Sequence, residues 1–391
     1  MGQAPVMRLL FTAVAAHGHV LPLAPLMSAA LDDGHAVGLV TAAGLADVVA
    51  TELPAGVEHL PAGPMPFELA TEAARRTGED LMAPSTDGIG ETFGGVLLDL
   101  AADDALAAAR GWRPDVVVSE VYCTVGPLVA AALARPLHRL RMTAPLPAVL
   151  TAAIDRAAAV RYAQRGLAPC PVASVLDLWP AELRDPAPDG PGAVPVVPVR
   201  AGAHRRPAPS GAWTPPPAGP RPRVLVSMGT IFSSTDVLGA VVDAVAAHPV
   251  DVVATLGLGL PGEAVRGHDG RGAGGGTVTF VPFVPLEELL GGVDLVVGVG
   301  GAGTVLAALS RGIPLVLLPQ GADHPTIAAG VAAAGAGVVV DSVAGIGPAV
   351  GRVLSPEDRT RGCAAAVATA MDRAAGPVEA VRALVAGTSE G

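Results

Sequence analysis

The chain has 391 residues, a formal net charge of −11, and a composition that is 51% hydrophobic yet only 3% aromatic. That length outgrows a single core, so two domains of similar size are expected. The acidic balance, without a basic stripe or interleaved aromatics, argues against nucleic acid as a partner. No apolar run reaches the roughly eighteen residues of a membrane span, which argues against a membrane partner.

The N-terminal stretch "MGQAPVMRLLFTAVAAHGHV" has neither the basic region nor the small-residue cleavage site of a signal peptide, so a cytoplasmic location is expected. Within it "RLLFTAV" reads as a strand, and "LPLAPLMSAALDDG" after it as a helix. Between them lies "HGHVLP", which places His17 and His19 at the carboxyl end of the strand. A near-neutral pKa suits such a histidine to general base catalysis. The strand "AVGLVT" and the helix "AGLADVVATE" follow, then a polar and Pro-rich excursion from about Pro54 to Thr92.

A long helix, "VLLDLAADDALAAARGW", leads to the strand "DVVVSE", whose last residue is Glu120, and to the helix "VGPLVAAALAR". Glu120 at that strand end can lie beside the first loop and orient His19. The plainer reading makes the histidines polar loop residues and Glu120 a helix N-terminal acid, worth about 0.3–1 kcal/mol. The Asp32–Asp33 and Asp103–Asp104 pairs fall on solvated helical positions. Cys123, Cys170 and Cys363 form no CxxC and no even framework, which fits a reducing compartment and argues against zinc.

The Pro/Gly-rich tract from Ala201 to Arg223 marks the domain boundary. The expected division is 1–205 for a first domain, 206–222 for a linker and 223–375 for a second domain. Residues 376–391 form a helix and tail that pack back on the first domain. Past the linker the β-α rhythm restarts with "RVLVSMGT", "DVLGAVVDAVAAH", "VDVVATLG", "TVTFVPFVPLEELL", "DLVVGVG", "IPLVLLP" and "AAAGAGVVV", ending in "AVRALVAGT". The fold class is therefore α/β, with two facing Rossmann-like β/α/β domains and an interdomain cleft.

The second domain holds a strand, a glycine turn and a helix in "VVGVGGAGTVLAAL", where Gly298-x-Gly300-x-x-Gly303 formally matches the dinucleotide fingerprint. A helix N-terminus at such a turn presents free N–H groups to an anion; the plainer reading is that the glycines allow close helix packing. Asp323, about twenty residues on, is the acid that NAD-binding folds show, but it lies beyond the strand "IPLVLL" where a ribose role is awkward.

The runs "HGHVLPLAPLMSAALDDGHAVGLVT", "GWRPDVVVSE" and "FVPLEELLGGVDLVVGVGGAGTVLAALSRGIPLVLLPQGADH" together resemble the two-domain GT-B glycosyltransferases of family 1. Within it, the chain is similar to the actinobacterial enzymes that decorate polyketides and other natural products. The resemblance implies an inverting transfer from a dTDP- or UDP-sugar, with no metal and no permanently bound cofactor. It makes His19 the base and Glu120 its partner, where many relatives have Asp. Val284 and Leu289 would hold the nucleobase, and Gly300, Gly301, Ala302, Gly303 and Thr304 the diphosphate. Ser227, Gly229 and Thr230 would close on it, and Asp323 and His324 fall where relatives carry an Asp-Gln pair for sugar hydroxyls.

One departure stands out. Relatives read His-His-Gly-Gly-Ala-Gly-Thr, and the second histidine, which donates to a donor phosphate, is here Val299. The resemblance also implies a hydrophobic acceptor, for which His17, Met65, Phe67, Met82, Phe93 and Met142 are candidates; for each of the five apolar residues taken alone, core packing is the plainer reading. Two other readings stay open. The missing histidine allows a catalytically impaired or auxiliary homologue, and the fingerprint allows a nicotinamide-dependent oxidoreductase. A homodimer or a helper protein, and an O-, N- or C-glycoside, are all compatible with the chain.

Overall fold

The computed structural model describes residues 6–81, 83–184, 194–207, 213–216, 219–229, 235–257 and 270–388. The chain divides into two compact units, one of Met1–Leu178, Pro188–Val199 and Ala375–Gly391, the other of Trp179–Ala187 and Arg200–Ala374. Parts of the expected 206–222 linker lie outside the described residues.

The first unit is built on a seven-stranded sheet: β1 (Arg8–Thr12), β2 (Ala36–Thr41), β3 (Val57–Pro61), β4 (Val116–Glu120), β5 (Leu137–Arg141), β6 (Val172–Asp177) and β7 (Val196–Pro198). Their order is β3-β2-β1-β4-β5-β6-β7, and every pair is parallel. Residues such as Leu9, Leu10, Val116, Val117 and Val118 are fully buried, as expected of strands covered on both faces. The chain leaves β1 on one side toward β2 and returns on the other through β4. The carboxyl ends of β1 and β4 therefore flank the crevice where such sheets bind ligands.

The segment from Pro54 to Thr92 is not an irregular excursion. It contains β3 and two helices, Pro66–Thr77 and Thr86–Gly90, followed by a π-helical turn over Glu91–Val96 that runs into the helix Leu97–Trp112. Pro66 stands in the first turn, where its missing N–H costs nothing. Gly94 is a packing device: a Cβ there would run into the Ile154 carbonyl of the helix Ala148–Gln164.

The helix Pro377–Thr388 belongs to the first unit and packs on the helix Ala24–Asp32. Asp33 is not merely solvated, because both its oxygens accept from Arg382 of that helix at 2.8 Å. Asp103 is paired with Arg165 at 3.0 Å but remains exposed.

The second unit repeats the plan with β8 (Arg223–Ser227), β9 (Asp251–Thr255), β10 (Gly270–Arg271), β11 (Thr277–Val281), β12 (Leu295–Gly298), β13 (Leu315–Leu317) and β14 (Gly337–Val339). The order is β10-β11-β9-β8-β12-β13-β14, with only the β10–β11 pair antiparallel among the described strands. Its switch point lies between β8 and β12.

On β5, His138 is 6% exposed and one ring nitrogen sits 2.8 Å from the Ser174 hydroxyl. Burial pulls its pKa from 6.5 down to about 4. Below pH 6.5 the unfolded chain takes up a proton that the folded chain refuses, so stability is present above that pH and falls as pH drops. Between pH 7 and pH 5 the loss from this group should be about 2 kcal/mol. Chemical unfolding curves at the two pH values measure it, and His138→Gln should flatten that part of the dependence.

Candidate active site

The first-unit site starts from sheet register. Thr12 of β1 is opposite Ser119 of β4, so Glu120, one residue on, stands beside the loop that leaves β1. That loop turns at Ala16 into the short helix His17–Val20. The Glu120 carboxylate is fully buried: one oxygen accepts from the Val14 N–H at 3.2 Å and the other from the Tyr122 N–H at 2.7 Å. His19 Nδ1 lies 3.1 Å from the first of these oxygens, and its side chain keeps 22% exposure. With Nδ1 facing the carboxylate, Nε2 is the nitrogen left to take a proton.

The surroundings are tied together by hydrogen bonds and ring contacts. Thr12 Oγ1 donates to Ser119 Oγ at 2.9 Å, and Ser119 Oγ donates to the Cys123 carbonyl at 2.7 Å. The Tyr122 ring meets His19 edge-on, with centroids 5.5 Å apart, and Phe93 leans on Tyr122 at 5.1 Å. The π-helical turn thus delivers Phe93 to the neighbourhood of His19; such turns recur at functional sites. Tyr122 escaped the sequence reading, although it is one of only two tyrosines and stands two residues after Glu120.

The other acceptor candidates scatter. His17 is half-buried in the same short helix as His19, while Met142 is buried at 4% exposure. Met65 packs against Gly44, and Phe67 projects into solvent at 74% exposure. Met82 lies outside the described residues. A small cavity of about 10 Å³ lies among Ala13, Val14, Val40, Gly63, Leu97 and Cys123.

In the second unit, Ser227 of β8 is opposite Gly298 of β12, which sets Gly229 and Gly300 in adjacent turns. Gly300 has φ of 95°, a left-handed conformation that glycine adopts without a Cβ penalty. The helix Ala302–Leu309 follows, its N-cap Gly301 supplies no side-chain acceptor, and no acidic residue stands in its first turn. Its leading N–H groups and dipole therefore present positive potential at the turn. Gly303 is exposed and Thr304 half-buried. Ser227 Oγ accepts from Thr255 at 3.3 Å, whereas Thr230 lies outside the described residues.

Val299 is 2% exposed and belongs to the second unit's core, with Val226, Met228 and Leu318. Its Cγ2 lies 3.5 Å from where a Cβ on Gly229 would sit. His324 opens the helix His324–Ala333 with Asp323 at the N-cap. Its carbonyl stands 3.4 Å from the Cβ position of Gly300. Burial lowers its pKa, partly opposed by Asp323, so the ring is held neutral. Val284 and Leu289 are buried at 4% and 2% exposure around the short helix Leu286–Leu289.

The fingerprint starts on the last residue of β12, Gly298, and runs on into the turn that follows. In a dinucleotide fold the fingerprint turn follows the first strand, which in this sheet is β8. Among the described residues no cluster of three or more His, Cys, Asp or Glu could hold a metal ion, and no helix is long and apolar enough to cross a membrane.

Residues 264–386 match the family model described as erythromycin biosynthesis protein CIII-like, C-terminal domain. Tylactone mycaminosyltransferase of Streptomyces fradiae is 30% identical over 405 residues, covering 91% of this chain and 87% of that protein. L-Demethylnoviosyl transferase of Streptomyces niveus is 29% identical, covering 93% and 97%. Among solved structures, the Streptomyces sp. SF2575 glycosyltransferase SsfS6 complexed with thymidine diphosphate superposes with a TM-score of 0.78 at 26% identity, over 97% of this chain and 99% of that one. SnogD from Streptomyces nogalater gives 0.77 at 29% identity, over 98% and 99%.

Proposed function

The chain belongs to the family 1 GT-B glycosyltransferases of actinobacterial antibiotic biosynthesis, and from that premise we propose that it moves a deoxysugar from a dTDP- or UDP-sugar to a hydroxyl of a hydrophobic acceptor, with inversion and without a metal. The observation that carries the reading is the buried Glu120 carboxylate 3.1 Å from the partly exposed His19. His19 takes the acceptor proton as the oxygen attacks the anomeric carbon. The new carbon–oxygen bond forms on the face opposite the departing nucleoside diphosphate, and the carbon–phosphate oxygen bond breaks. Charge builds on the diphosphate, where the uncapped N-terminus of Ala302–Leu309 meets it. Backbone N–H groups thus stand in for a cation.

The names of the relatives, mycaminosyl and demethylnoviosyl transferases, support a deoxysugar donor. Tyr122 and Phe93 give the acceptor an aromatic wall beside the base. An auxiliary, non-catalytic member is the second reading, favoured by the buried valine at position 299.

Calorimetric titration with dTDP, UDP and NADH tests these together. Saturable dTDP or UDP binding is expected, with stabilisation of about 2.7 kcal/mol at a hundredfold excess over Kd, and transfer that EDTA leaves unchanged. Nucleotide binding without any turnover supports the auxiliary reading. Saturation by NADH in place of dTDP and UDP overturns both.

A further inference from the structure

Thr124 stands at the N-cap of the helix Val125–Leu133, the position from which a threonine hydroxyl ordinarily bonds the free N–H groups of its own helix. Here it does not. Its backbone is already helical, with φ of −81° and ψ of −12°, and its side chain makes no cap bond. Oγ1 donates instead to the main-chain carbonyl of Phe93 at 2.5 Å, 31 residues back along the chain. Thr124 is 6% exposed, so the partner of that carbonyl is buried and costly to lose.

This bond joins the two segments that carry the aromatic wall. Thr124 follows Tyr122 by two residues in the turn that leaves β4, and Phe93 lies in the π-helical turn Glu91–Val96. On its other side the π-helical turn is seated on the helix Ala148–Gln164. Gly90 and Gly94 leave no room for a Cβ against Ala153 and Ile154, and Glu91 pairs with Arg161 at 2.7 Å. Those contacts hold the turn to the helix, while Thr124 ties it to the end of β4. The rings of Phe93 and Tyr122 meet at a tilt of 48°. Such a contact is less directional than a hydrogen bond, so the main-chain tie is what fixes the approach of the two rings.

We propose that Thr124 is a positioning residue for the acceptor: its hydroxyl locks Phe93 against Tyr122 and so sets the wall beside His19 on which the apolar face of the acceptor lies. This rests on the reading that the acceptor binds beside His19. Thr124 acts through the two rings. Glu120 is held separately by the N–H groups of Val14 and Tyr122, so loss of the Thr124 hydroxyl costs acceptor affinity and spares turnover.

Thr124→Val keeps the branched shape without the hydroxyl, Thr124→Ser keeps the hydroxyl, and Phe93→Leu removes the ring but leaves the carbonyl. The valine and leucine changes are also combined. The probe is umbelliferone, its Kd read by fluorescence and its KM and kcat with dTDP-glucose as donor. In Thr124→Val its Kd and KM should rise about fivefold, the worth of one buried hydrogen bond, with kcat and dTDP affinity nearly unchanged. Thr124→Ser should restore the parent values. The double variant should match Phe93→Leu alone, because without the ring the hydroxyl has nothing to place. Additive losses, or a Thr124→Val that lowers kcat and leaves acceptor affinity in place, overturn the proposal, since a merely structural role produces them.

A second readout needs no turnover. The chain has two tyrosines, Tyr122 and Tyr162, so fluorotyrosine labelling gives two fluorine resonances, told apart by Tyr122→Phe. In Thr124→Val the Tyr122 resonance should move toward its position in Phe93→Leu, as the ring current of Phe93 is withdrawn, and in Thr124→Ser it should stay. A resonance that stays in Thr124→Val overturns the proposal. If umbelliferone binds with the same Kd to Phe93→Leu as to the parent and leaves the Tyr122 resonance in place, the reading of the acceptor site fails instead. The fluorine shift then still decides whether Thr124 places the ring.

Discussion

Replacing His19 by Asn should lower kcat for an aliphatic alcohol acceptor by about 10²–10⁴-fold while leaving dTDP binding unchanged. On the proposed reading His19 supplies the base and the Gly300 turn the diphosphate contacts, so loss of the imidazole should remove the first function and keep the second. The size of the loss should depend on the acceptor. A phenol already ionised at the assay pH needs no base, and with it the variant should keep most of its rate. An aliphatic alcohol gives up its proton only as the new bond forms, so it feels the full effect. Single-turnover kinetics with one acceptor of each kind, after a screen for aglycones the parent glycosylates, measures the contrast. Equal losses for both acceptors would show that His19 shapes the site and does not move a proton.

The second large effect is expected at position 299. The resembling family carries a phosphate-binding histidine there, and this chain carries a valine 2% exposed in the second unit's core. Val299→His should tighten dTDP binding by about 10- to 100-fold, the worth of one charge-assisted hydrogen bond of about 1.5–3 kcal/mol. The same change should lower unfolding stability by about 1–3 kcal/mol, because a larger, polar ring enters a packed site facing Gly229. Calorimetry with dTDP and urea unfolding of the same samples read the two effects separately. Tighter binding with lower stability places the diphosphate on the Gly300 turn. Unchanged affinity with lower stability would show that position 299 faces only the core.

Much of the architecture was legible because parallel strands covered on both faces must be apolar runs of a few residues, and the helices between them must be amphipathic. "AVGLVT" became β2 without a shift in either boundary, and "DVVVSE" became β4 less its first residue. The Pro54 to Thr92 segment was misread because its glycines and prolines carry the local signature of irregular chain. Their purpose is tertiary: Gly94 makes room for a carbonyl of the helix Ala148–Gln164. The strands β5, β6 and β7 were missed as well; β7 is three residues long and too short to carry a periodic signal.

The candidate site was legible in part. The "HGHVLP" loop and Glu120 could each be placed at a strand end from local pattern. The fingerprint at Gly298, Gly300 and Gly303 misled because a spacing of glycines does not say which strand of a sheet precedes it, and here it is not the first.

By itself, then, the sequence determined the alternation of strand and helix, the parallel sheets it implies and the residues standing at strand ends, because these follow from periodicities along the chain. Only the tertiary structure decided what those ends meet. The Glu120 carboxylate reaches Val14, 106 residues away, through the pairing of β1 with β4. Phe93 comes to Tyr122 from a π-helical turn. Such contacts depend on which strands are neighbours and in what register.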